Sequence, residues 1–237
     1  MTRQEELTKN FTEVRRNIEY ARIKHGDIIA GSSFNLLAAT KKVSPEDINY
    51  AVENLALTVI GENRADELCE KYPHISKNVD IHFIGTLQTN KVKYIIDKVS
   101  MIHSVDSVKL AAEIDRQAKK HGKVMDVLIE INIGEEDQKS GIAPNDLQEF
   151  FSSISVFSSI QCRGIMTMAP NCNVFDEYRK YFKETYHIFI DFLTKNTHNI
   201  IEPVLSMGMS GSYIPAIEEG STMPRVGSAL FGARSDA

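Results

Sequence analysis

Leu7, Phe11, Val14, Ile18 and Ala21 recur at three- and four-residue spacing through an otherwise charged segment, and this stripe predicts a helix that packs on a larger body. From residue 35 onward short apolar runs alternate with amphipathic stretches. The run NLLAA at 35–39 predicts a strand. Ser44 as cap, Pro45 in the first turn, and Ile48, Ala51, Val52 and Leu55 on one face predict the helix behind it. The unit repeats as LTVI at 57–60 with Ala65, Leu68, Cys69 and Tyr72, then as IHFI at 81–84 with Val92, Ile95, Ile96 and Val99. MIHS at 101–104 precedes Leu110, Ala111, Ile114 and Ala118, and VLIEINI at 127–133 precedes Leu147, Phe150, Phe151 and Ile154. IQCRGIM at 160–166 is followed by a long helix carrying Phe175, Tyr178, Phe182, Phe189, Phe192 and Leu193, whose helical spacing marks core and not a ligand wall. IEPVL at 201–205 and MPRV at 223–226 bring the strands to eight; Pro203 and Pro224 each lack a ladder donor and predict that these last two are short.

Strict strand–helix alternation implies parallel strands joined by right-handed crossovers, and eight of them favour closure. The expected fold class is therefore α/β, a single (β/α)8 TIM barrel preceded by an N-terminal helix. A chain of 237 residues with 42 % hydrophobic content suits one domain spanning 1–237.

The net charge of −5 offers no positive field for nucleic-acid phosphates. Cys69, Cys162 and Cys172 form neither an even disulfide framework nor a Cys-x-x-Cys pair, which suits a reducing compartment. No stretch approaches the ~18 apolar residues of a membrane span, and no signal-type segment follows the first charges. A cytoplasmic protein with no membrane or nucleic-acid partner is expected. The seven histidines contain no His-Glu-x-x-His and no close pairing with cysteine, so no metal site is expected, and no Gly-x-Ser-x-Gly elbow or Walker loop is present. His82 and His103 fall in or near strands three and four, where a hydrogen-bonded core histidine is the commoner outcome. Glu135, Glu136 and Asp137 read as a solvated acidic turn.

In such a barrel reactive groups lie at the carboxyl ends of strands, and phosphates are often held by the loops after strands seven and eight. Here those loops read Ser206-Met-Gly-Met-Ser-Gly-Ser212 and Gly227-Ser-Ala-Leu-Phe-Gly232. Glycine admits close backbone approach and serine adds donors, although turns use the same residues. Strand one ends in LLAATKK beside strand eight, which carries Arg225. A lysine close to another cation and partly desolvated is more readily neutral, the form that attacks an aldehyde. Alternation puts Ala39 and Lys41 on one face and Lys42 on the other without saying which is inward.

Taken together, LLAATK, GEN at 61–63, IHFIGTLQTNKVK at 81–93, EEDQKSG at 135–141, GIMTMAP at 164–170, LSMGMS at 205–210 and GSTMPRVGSALFGAR at 220–234 resemble the pyridoxal phosphate homeostasis proteins, single-domain relatives of the alanine racemase N-terminal barrel. The resemblance covers nearly the whole chain. It implies pyridoxal 5′-phosphate (PLP) held as a Schiff base on Lys41, the phosphate held around Ser206, Gly208, Ser210, Gly227 and Ser228, Arg225 facing the pyridine nitrogen, and Asn63 as a further cofactor neighbour. An arginine at that nitrogen weakens the cofactor's electron sink relative to a carboxylate. The sequence departs from the family pattern at Ala39 and Thr40, usually valine and serine, at Ile81, often tryptophan, and at Thr86, often histidine. It departs also at Gly211-Ser212, often an acidic pair, at Pro224, usually aliphatic, and at Ser228, usually threonine.

The implied function is non-enzymatic: binding, buffering and delivery of PLP in intracellular PLP homeostasis, with PLP-dependent apo-enzymes as recipients, no catalytic residues, and a monomer or weak dimer as the working form. The alternative is an amino-acid racemase or decarboxylase of fold type III. Racemisation requires acid/base groups on both faces of the substrate carbon, and the added β domain associated with the second base in alanine racemase has no counterpart after strand eight.

Overall fold

Eight parallel strands follow one another in chain order around a barrel, β1 (Leu37–Ala39), β2 (Val59–Glu62), β3 (Asp80–Phe83), β4 (Met101–Val105), β5 (Met125–Ile131), β6 (Ile160–Thr167), β7 (Val204–Ser206) and β8 (Arg225–Val226), with β8 pairing back onto β1. The computed structural model describes residues 1–25, 31–136, 138–172, 174–196 and 198–233; Asp137 and the side chain of Phe175 lie outside them. Closure between β7 and β8 is made by single bonds and not by a ladder: the amides of Thr222 and Met223 donate to Leu205 O at 3.0 and 3.1 Å, and that of Arg225 donates to Gly208 O at 3.0 Å. As the two prolines predict, β7 and β8 are the shortest strands apart from β1, and Pro203 and Pro224 each stand immediately before one.

Helices α1 (Arg3–His25), α2 (Pro45–Asn54), α3 (Ala65–Lys71), α4 (Val92–Ile95), α5 (Val108–Lys120), α6 (Leu147–Ile154) and α7 (Phe175–Lys195) are joined by two short ones, α8 (Tyr213–Glu218) and α9 (Ser228–Phe231). The Ser44 side chain caps α2 by accepting from the Asp47 amide at 3.2 Å, with Pro45 in the first turn, as the sequence predicts. The amphipathic stripe of α1 is buried throughout. It covers the short helices of the last two units: Phe11 meets Phe231 edge-on at 5.7 Å, Asn10 Nδ2 donates to Leu230 O, and Asn17 Nδ2 donates to the Tyr213 hydroxyl.

Two apolar layers follow from strand alternation. Ala38, Ile60, Phe83 and Ile102 face outward into the large core under the helices, where burying each isoleucine or phenylalanine contributes roughly 1.5–3 kcal/mol. Leu37, Ala39, Val59, Ile84, Met101, Leu128, Met166, Val204 and Met223 form a separate cluster inside the barrel. A Cβ on Gly61 would come within 2.5 Å of Leu37 Cδ2 and 2.8 Å of Ile84 Cδ1, so the interior is filled by neighbours leaning over that glycine. No helix among the described residues is long and apolar enough to cross a membrane.

Candidate functional site

The layering resolves which face of β1 is inward. Leu37 and Ala39 belong to the interior cluster and Ala38 to the outer one, so Lys41 is the next position of the inward row, half-buried in the turn at the carboxyl rim. The register pairs Leu37 with Arg225, which sets β8's cation beside the strand that leads to Lys41.

Arg225 is buried, and its guanidinium reaches across two strands. Nη1 donates to Ser206 O at 2.8 Å and to Ser206 Oγ at 2.9 Å, and Nη2 donates to Thr167 O at 2.9 Å. Desolvation pulls Arg225 down to about 10, still far enough above neutrality to keep the charge. Pro224 does not displace this residue: its carbonyl accepts from the Leu37 amide at 3.1 Å, holding β8 against β1.

The Ser206 hydroxyl lies inside the barrel, donating to Met223 O at 3.2 Å and lying 3.2 Å from His103 Nδ1. With its proton committed to Met223 O, the hydroxyl accepts from Arg225 and from a protonated His103 Nδ1. His103 Nε2 then accepts from His82 Nδ1 at 2.9 Å. Burial pushes His82 down to about 4 and His103 well below its usual range, so both rings are neutral at physiological pH. The two histidines set aside in the sequence thus join the candidate site through one hydrogen bond.

Gly208 has φ +90°, and a Cβ there would lie 2.4 Å from that of Ala216, so the loop admits no side chain at this point. The Ser210 hydroxyl accepts from the amides of Gly227 at 2.9 Å and Ala229 at 3.3 Å. Two amides of the loop after β8 therefore already converge on one oxygen supplied by the loop after β7. Ser228 is exposed at the start of α9, and Asn63 is half-buried just after β2. A Cβ on Gly85 would fall 2.1 Å from Asn63 O, so the glycine of the IHFIG block lets β3's loop lie against Asn63. Ser206, Gly208 and Arg225 form one bonded set, Ser210 and Gly227 a second on the same loops, while Lys41, Asn63 and Ser228 enter by position at the same rim. Tyr213 turns its hydroxyl to Asn17 on α1.

Glu130 was not singled out by the sequence reading, although a charge inside the apolar run VLIEINI is itself a signal. It is buried on β5, its Oε2 has no hydrogen-bond partner among the described residues, and burial, with Asp106 adding, pushes it up to about 7 against the pull of Arg225. A carboxyl raised in the folded state favours folding fully below its unfolded value near 4.5, and that contribution is lost as pH rises through about 7. Glu130→Gln is therefore expected to flatten the fall in stability between pH 5 and pH 8, with a difference from wild type on the order of 2 kcal/mol. Urea unfolding of the cofactor-free protein at the two pH values measures it, and equal slopes would contradict the reading.

Residues 35–235 match the family model described as "Alanine racemase, N-terminal domain". The pyridoxal phosphate homeostasis protein of Aquifex aeolicus is 43 % identical over 201 residues, covering 84 % of this chain and 86 % of that one. PipY of Synechococcus elongatus PCC7942, solved with PLP bound, superposes with a TM-score of 0.79 at 26 % identity, covering 95 % of this chain and all of that one. An alanine racemase of Clostridium difficile 630 shares the fold alone, with a TM-score of 0.72 at 18 % identity over 96 % of this chain and 58 % of that one.

Proposed function

This chain belongs to the pyridoxal phosphate homeostasis proteins, within the alanine racemase N-terminal-domain barrels, and from that premise we propose that it binds PLP through Lys41 and serves to hold and deliver the cofactor without turning over a substrate. The observation that carries the reading is the pair of amides, Gly227 and Ala229, converging on the Ser210 hydroxyl oxygen: a phosphate oxygen in that place would meet the same two donors, and Gly208 lets the loop after β7 pack close against α8. When bound, PLP supplies an aldehyde that condenses with a primary amine.

Each residue has its part in holding that group. Lys41 provides the amine at the rim. Ser210, with the Gly227 amide that now bonds it, and Ser228 would receive the phosphate. Ser206 acts one layer deeper, orienting Arg225. Arg225, held by Ser206 and Thr167, would present a donor to the ring nitrogen and favour its unprotonated form, which would disfavour carbanion chemistry on a bound amino acid. Asn63, just after β2, would flank the ring. Tyr213, beside the phosphate loops, has its hydroxyl bonded to Asn17 on α1, which argues against this tyrosine as a second base. We read residues 1–237 as one cofactor-holding unit, cytoplasmic, a monomer or weak dimer, with PLP-dependent apo-enzymes as recipients.

The test is to incubate PLP-loaded protein with a cofactor-free PLP enzyme, and separately with L-alanine. Recovery of the acceptor's activity without formation of D-alanine is expected. Sustained racemisation that disappears in Lys41→Ala would replace this reading with the racemase one.

A further inference from the structure

The turn that carries Lys41 is anchored from behind by charges buried outside the barrel wall. Lys71, at the end of α3, donates through Nζ to Thr40 O at 2.7 Å and to Glu62 Oε1 at 3.1 Å, and pairs with Glu67 at 2.5 Å. Glu62 Oε1 also accepts from Thr40 Oγ1 at 2.7 Å, and Glu67 Oε1 accepts from the Lys42 amide at 2.5 Å. The Glu62 side chain is fully buried and that of Lys71 is 11 % exposed. The amide of Thr40 donates to Gly61 O, and its carbonyl takes a second bond from the Val43 amide. The residues on both sides of Lys41 are therefore fixed while its own side chain is left out of the network.

The backbone shows why such anchoring is needed. Lys42 has φ +61°, a left-handed conformation that an ordinary side chain adopts only at a cost. It sets the tight turn that separates Lys41 from Lys42. Without restraint, a two-residue turn carrying adjacent lysines could relax and present either amine. Burying a carboxylate and an ammonium is itself costly, and burial raises Glu62 despite the pull of Lys71. A cluster that costs this much to bury gains most if it fixes one geometry, and the atoms it holds are the carbonyl before Lys41 and the amide after it.

We infer that Lys71, with Glu62 and Glu67, is a positioning residue that fixes the Lys41 turn and thereby decides which of two adjacent lysines receives the cofactor. The inference rests on the proposed attachment at Lys41. It assigns no contact between Lys71 and the cofactor.

The test compares wild type, Lys71→Met, the double variant Lys71→Met/Glu62→Gln, which leaves no uncompensated buried carboxylate, and Glu67→Ala at the solvent edge of the cluster. PLP-loaded proteins are reduced with borohydride and peptide-mapped, release is timed by transfer to excess cofactor-free acceptor enzyme, and the cofactor-free forms are melted. Expected are label on Lys41 alone in wild type, label shared between Lys41 and Lys42 in the Lys71 variants, and release about tenfold faster, the scale of one lost charge-assisted hydrogen bond. Glu67→Ala shifts both readouts in the same direction by less. If the folded double variant and Glu67→Ala keep all label on Lys41 with unchanged release, the cluster serves stability alone and the inference falls. If wild type carries no label on Lys41, the proposed attachment fails first and the inference with it.

Discussion

Lys41→Ala should fold as wild type does and carry no pyridoxyl group after reduction. The residue is half-buried in a turn, and the bonds that hold the turn come from Thr40 and Lys42. The substitution removes only an amine, and its effect on unfolding should stay within about 0.5 kcal/mol, the range for positions outside core and networks. The effect on the cofactor should be close to total, because no other described amine occupies the next inward position of β1. Borohydride reduction with peptide mass mapping reads the result. Equal labelling of the variant would remove Lys41 from the site.

Arg225→Leu should damage both the fold and the site. The guanidinium makes three hydrogen bonds, to Ser206 O, Ser206 Oγ and Thr167 O, and thereby ties β8 across β7 to β6 where no ladder closes the barrel. Leucine fills the space and leaves those acceptors without their charged donor, at a cost of about 3 kcal/mol. For a chain of this size that corresponds to a fall in Tm of roughly 10 °C. Thermal unfolding of the cofactor-free protein measures the structural part, and PLP titration at a temperature where the variant is folded measures the rest. A variant as stable as wild type would mean that Ser206 and Thr167 find other donors.

Much of this architecture is legible in the chain because its period is plain: apolar runs with helical stripes between them can only make parallel strands with helices outside. The strand limits are less legible. LTVI predicts a strand at 57–60, yet β2 is Val59–Glu62. Leu57 instead closes α2 through its amide to Ala51 O. Gly61 and Glu62 are poor strand residues by propensity, and tertiary context overrides it: the glycine makes room for Leu37 and Ile84, and Lys71 compensates the carboxylate. The glycine- and serine-rich loops point to an anion on chemistry alone, whereas the choice of Lys41 over Lys42 comes from family resemblance; the layering adds only that Leu37 and Ala39 are the inward positions of β1. The parts that escaped, Thr167, Glu130 and the Lys71 cluster, depend on distant partners as well as near ones: Lys71 pairs with Glu67 and Glu62 close by but reaches Thr40 O across 31 positions. The Arg225–Thr167 bond spans 58 positions, and no local pattern encodes it.

The lacing of α1 to the last two units sets an order of events during synthesis. Asn10 and Leu230 bond across 220 positions and Arg3 reaches Phe231 across 228, while β1 finds its second neighbour only in β8. Contacts this distant in the chain are made late, since closing so long a loop costs entropy before any contact repays it. A growing chain therefore displays its first lysine turn long before Arg225 and the two converging amides exist. With attachment at Lys41 as proposed, only the closed ring of strands brings amine and cradle together, so a half-made copy would be unable to sequester a reactive aldehyde and capture would wait for closure.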